Sequence, residues 1–143
     1  IVLFTDGVDT TSEDAFYDET IKRAENSDTL IFPIYYNTST KLLGKRKKKK
    51  SRYRNRILKD YKLGKMYLEE LATSTGGRII SPDSTPDGLN AAFKAIAEEL
   101  SYQYNIGYYP TKEGVPGQRR KIKVRVYRPN LNIRARDNYI VKK

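Results

Sequence analysis

The chain has 143 residues, enough for one domain with its own core. It contains no Cys and no His, which excludes disulfides, thiolate metal sites and imidazole-based zinc or general-base chemistry. The formal charge of +11 suggests a nucleic-acid binder, but residues 41–65 hold 13 of the 28 Lys and Arg against one acid, Asp60, and the remainder is close to neutral.

Residues 1–9, IVLFTDGVD, open with an apolar run of β-branched and aromatic residues. Such a run predicts a strand buried on both faces, as in a parallel sheet. Asp6 and Gly7 fall at its carboxyl end, where ligands gather in open α/β sheets. A carboxylate fixed there suits a hard cation such as Mg²⁺. Asp-Gly is also ordinary turn chemistry. A chain that enters a core strand at Ile1 is expected to be the C-terminal portion of a longer protein. Ser12 reads as the N-cap of a helix over about 13–26, with Tyr17, Ile21 and Ala24 at helical spacing. Residues 29–36, TLIFPIYY, read as the next strand. Pro33 cannot donate to a ladder and points to an edge, a bulge or irregular pairing. The strand–helix–strand order predicts parallel pairing, with Tyr36 and Asn37 on the same rim as Asp6.

Residues 45–56, KRKKKKSRYRNR, lack apolar periodicity. They are expected to be a solvated, disordered part of a basic insertion over 41–65. The functional readings are contact with a polyanion, whether nucleic acid, acidic polysaccharide or anionic membrane, or recruitment of an acidic protein. The candidate side chains are Lys45, Arg46, Lys47, Lys48, Lys49, Lys50, Arg52, Arg54 and Arg56. Only Tyr53 interleaves with them, which argues against a stacking platform for single strands.

A helix is predicted within 57–75, carried by Leu68, Leu71, Ala72 and Thr75 and ended by Gly76-Gly77. Gly64 marks where its regular part is expected to begin. Residues 78–81, RIIS, read as a short strand. Thr85-Pro86-Asp87 sets a cap, a first-turn proline and an acid in the favoured order. Leu89, Phe93, Ile96, Ala97 and Leu100 then form a core-facing stripe. Beyond residue 102 the period changes to two: Tyr102, Tyr104, Ile106 and Tyr108, then Ile122, Val124 and Val126, then Leu131, Ile133 and Ala135. These segments predict an antiparallel extension over 102–143 with one face buried. Pro129-Asn130 reads as a turn. No apolar run approaches the roughly 20 residues that span a bilayer. No phosphate-cradling loop, nucleophile elbow or convergent acid–base pair is present, which argues against an enzyme.

In this order the segments resemble the C-terminal portion of a von Willebrand factor A domain, more closely the bacterial VWFA-related family of the acidobacterial type. The matching stretches are IVLFTDGVDT (1–10), LIFPI (30–34), LEELATSTGGRI (68–79), LNAAFKAIAEELSYQYNIGYYP (89–110) and RKIKVRVYRPNLNIRARDNYI (120–140). The resemblance implies a single domain over 1–143: part of a doubly wound, Rossmann-like α/β sheet followed by the antiparallel extension. It also implies a non-enzymatic adhesion module. In the complete domain Mg²⁺, or Mn²⁺ or Ca²⁺, is held by oxygen ligands from three loops and takes an acidic residue of a protein partner in its open position. Asp6 matches the third-loop ligand. The other two loops would precede Ile1, and one carboxylate with water does not hold Mg²⁺ tightly. Asn138 stands where the family has Gly, and Asn tolerates a left-handed backbone. Related proteins are exported, so a periplasmic, envelope-associated or secreted location is expected by analogy.

Overall fold

The computed structural model describes residues 1–9, 16–44 and 51–142. Among them the order is β1 (Val2–Thr5), α1 (Tyr17–Asn26), β2 (Phe32–Tyr35), α2 (Ser39–Gly44), α3 (Ser51–Thr75), α4 (Pro86–Ser101), β3 (Arg119–Lys121) and β4 (Asn138–Ile140). The expected N-cap Ser12 lies outside the described residues; α1 begins at Tyr17 with no side-chain cap.

The parallel pairing is present: β1 and β2 run in register from Val2–Phe32 to Thr5–Tyr35. On the other side of β2, Ile80 forms one parallel bridge with Ile34. Thus β2 is the central strand and Pro33 sits in its middle. Alternate residues of β2 bond to alternate sides: Phe32 N donates to Ile1 O at 2.8 Å, and Pro33 O accepts from Ile80 N at 2.8 Å. A donor at position 33 would face the stretch around Arg78. Pro33 supplies none, so the strand read over 78–81 shrinks to a single bridge.

Helices cover both faces. Ile21 and Ala24 of α1, Leu71 of α3 and Ile31 form one cluster with Leu3, Tyr17 and Tyr67. Phe32, Ile34, Ala92 and Ile96 form the other, so α4 packs on the opposite side. The result is a mixed α/β fold with a small parallel sheet and a separate antiparallel pair.

Three expectations are corrected. First, β1 is not buried on both faces. Val2 and Phe4 are 42% and 59% exposed, because α4 covers β2 and leaves that face of β1 open. For the same reason only Leu89, Ala92 and Ile96 of α4 face the core, while Phe93, Ala97 and Leu100 are exposed. Second, the chain from 51 to 65 is not a disordered insertion. It is the first half of α3, which runs unbroken through Gly64. Third, 102–109, 122–127 and 131–136 are not strands. Period two states which side chains share a face, but a ladder needs a neighbouring backbone, and only 119–121 and 138–140 meet as one. Asn138 lies inside β4, and the left-handed residue is Asn130 (φ 60°), in the predicted turn.

The helix ends follow the sequence. Thr85 Oγ1 accepts from Gly88 N at 3.1 Å, and α3 stops at Gly76 with φ 85°. Ion pairs fasten the C-terminal part. Glu99 bridges Arg78 (2.8 Å) and Arg134 (2.6 Å). Arg119 pairs with the buried Glu25, and Arg136 and Lys142 reach Asp28 at 3.4 and 3.2 Å.

Candidate functional site

The parallel register puts the ends of β1 and β2 on one rim, and three hydroxyl or carboxyl groups meet there. Thr5 Oγ1 accepts from Gly7 N at 3.0 Å, and Asp6 Oδ1 accepts from Val8 N at 3.1 Å. These bonds and Gly7 (φ 72°) turn the chain sharply after the strand. They hold the other oxygen, Oδ2, towards β2 and α3. It accepts from Thr38 Oγ1 at 3.0 Å and from Tyr61 OH at 3.2 Å. The two hydroxyls are themselves 2.5 Å apart, where one donates to the other, so their two protons are shared among three contacts and one hydroxyl at a time donates to Oδ2.

Tyr61 reaches the rim because α3 touches the turn through bare backbone. A Cβ on Gly64 would lie 2.4 Å from Gly7 O, and one on Gly7 would lie 2.7 Å from Gly64 O. Only glycine at both positions permits that approach. Burial raises the hydroxyl pKa of Tyr61 and of Tyr35 beside it, and the Asp6 charge adds to both shifts. Both phenols stay protonated, and Tyr61 stays a donor, at neutral pH.

The donor set at this rim is all oxygen, which is hard-cation chemistry, but it contains one carboxylate whose two oxygens already accept hydrogen bonds. No group of three His, Cys, Asp or Glu side chains able to hold a metal occurs among the described residues. These residues do not by themselves fit Mg²⁺, which usually needs further carboxylates or phosphates. Asp6 stands at the rim, as its position in the sequence predicts, as the acceptor of a hydrogen-bond hub.

Of the nine candidate bases, Lys45 to Lys50 lie outside the described residues. Arg52, Arg54 and Arg56 occupy the first turns of α3, all exposed, and none pairs with an acid among the described residues. From 52 to 60 the helix has no buried residue; Tyr61 is the first. The basic turns therefore project past the hub that anchors them.

Sequence reasoning missed Thr38, Tyr61 and Gly64 as site residues. One signal was available: Tyr61, Gly64, Leu68, Leu71 and Thr75 share one helical face, which extends the apolar stripe two turns towards the N-terminus. No comparable signal marks Thr38. No helix among the described residues is long and apolar enough to cross a membrane. Comparison with protein-family models, curated proteins and solved structures finds no match.

Proposed function

We propose that this chain is a non-enzymatic binding module that takes an acidic protein partner at the carboxyl rim of its parallel sheet. The observation supporting this reading is the Tyr61–Asp6 hydrogen bond of 3.2 Å. It fixes the buried part of α3 to the rim, and Arg52, Arg54 and Arg56 lie on the helix turns that precede Tyr61. Three exposed guanidiniums without acidic partners among the described residues draw an acidic surface in and orient it, an effect on association rate and specificity that salt screens. The cation dependence implied by the resemblance needs carboxylates beyond those described, and no step here runs through a metal.

The test is binding of labelled poly-L-glutamate by fluorescence anisotropy. The R52Q/R54Q/R56Q variant is expected to bind about tenfold more weakly. Raising salt should weaken the parent steeply, and EDTA should leave it unchanged. Binding that ignores both the arginines and the salt overturns the proposal. A polyanion is the second reading, favoured by the arginines themselves, which pair phosphate or sulfate with two parallel hydrogen bonds. Duplex DNA and heparin in the same assay separate the two, since tighter binding to either favours the second.

A further inference from the structure

The face of α3 that looks away from the sheet combines two kinds of side chain. Arg52, Arg56, Lys59, Leu63 and Met66 follow one another at helical spacing, with Leu58 and Lys62 beside them. Tyr61, Gly64, Leu68 and Leu71 are buried on the opposite side. Leu58, Leu63 and Met66 are 44%, 56% and 51% exposed, and the four bases are exposed as well. The acid nearest in sequence, Asp60, stands one turn after Arg56 and one turn before Leu63, at the edge of this face.

We propose that this ridge of α3, from Arg52 to Met66, docks on an anionic lipid bilayer. Charge complementarity identifies the surface: four bases face the anionic headgroups against one acid of the ridge's edge, Asp60. The apolar members narrow it further. Leu58, Leu63 and Met66 are separated by bases, so they do not make the continuous stripe that a helix presents to an apolar protein groove. Long Lys and Arg side chains lay their stems along such a ridge and keep their heads in the headgroup layer, while leucine and methionine enter the acyl boundary. A single convex helix matches a plane better than a cleft. The inference shares Arg52 and Arg56 with the acidic-protein reading, so its test turns on Leu63 and Met66, which that reading does not use.

Flotation with vesicles tests it. The chain is expected to float with vesicles of phosphatidylcholine mixed with phosphatidylserine and to stay behind with phosphatidylcholine alone. Neutralising Lys59 or Lys62 to Gln should weaken binding about fivefold each. The L63N/M66Q variant keeps every charge. It should lose vesicle binding severalfold while its thermal melt and its binding to poly-L-glutamate are unchanged. Three results overturn the inference: no flotation with the anionic vesicles, flotation unaffected by L63N/M66Q, or binding to duplex DNA or poly-L-glutamate that suffers equally from L63N/M66Q. The last would assign the ridge to a macromolecular partner instead.

Discussion

A missing side chain decides the geometry at Gly64. Gly64→Ala should gain about 1 kcal/mol of helix propensity. It also places a Cβ 2.4 Å from the Gly7 carbonyl oxygen, with backbone on both sides and no flexible side chain to yield. Overpacking of this kind costs about 1–3 kcal/mol. The clash is expected to win, giving a net loss of up to about 2 kcal/mol in urea unfolding. An increase in stability would show that α3 can slide off the turn. At Tyr17 the hydroxyl donates to Glu70 at 2.6 Å, joining α1 to α3. Burial first, then that hydrogen bond to a carboxylate, raise its pKa from 10.0 to about 12. The folded state thus holds this proton more tightly than the unfolded chain does. The resulting stability is fully present below pH 10.0 and is lost as pH rises towards about 12. Tyr17→Phe should be less stable by about 1 kcal/mol at neutral pH, and the gap should close over that alkaline window. Denaturant titrations of both proteins across the window check it.

Single elements show how far a local pattern carries. The cap at Thr85-Pro86 and the stop at Gly76 were legible because both are backbone chemistry written in adjacent residues. The first half of α3 was not. Its bases repel one another in isolation, and it is helical here because Tyr61 and Gly64 seat the middle of the helix on the sheet. The alternation after residue 102 was misleading in the opposite way, since it reports facing and not pairing. In the site, Asp6 could be placed from the end of its strand. Thr38 and Tyr61 could not, because they come from distant parts of the chain and a hydroxyl beside a carboxylate has no spacing signature. β1 carries its own consequence. Among the described residues it pairs on one side only, with Val2 and Phe4 exposed and no charge among its four residues. Such an edge invites pairing with another chain. Phe4→Lys should lower concentration-dependent association, followed by light scattering, and leave the unfolding midpoint nearly unchanged, since Phe4 contributes little to the core. A large fall in the midpoint instead would mean that its tilted contact with Tyr36, ring centres 5.7 Å apart, matters more than its exposure suggests.

Across the whole molecule, electrostatics holds distant parts together. The β3–β4 pair is fastened to α1 and the chain after it by Arg119 on Glu25 and by Arg136 and Lys142 on Asp28. The hydrogen bond and charge of Lys142, then the charge of Arg136, hold the Asp28 carboxyl below its ordinary pKa of 3.8. A depressed carboxyl contributes stability above that ordinary value and loses it as pH falls through the lower, folded one. The C-terminal pair should therefore loosen first in acid. Amide exchange at Val141, whose N–H donates to Gln118 O at 3.0 Å, reports this. Its protection should fall in acid before that of the sheet amides, and Asp28→Asn should reproduce part of the loss at neutral pH.

Where Gly7 meets Gly64, main chain lies directly on main chain. The offset between the acidic turn and the cationic spar is consequently set by bond geometry, with no side-chain packing in between to absorb drift. Among the described residues, the basic end of the spar carries no such backbone-on-backbone seam. Whole turns could be added or removed there, each altering its reach by about 5.4 Å, while the seam below keeps its alignment.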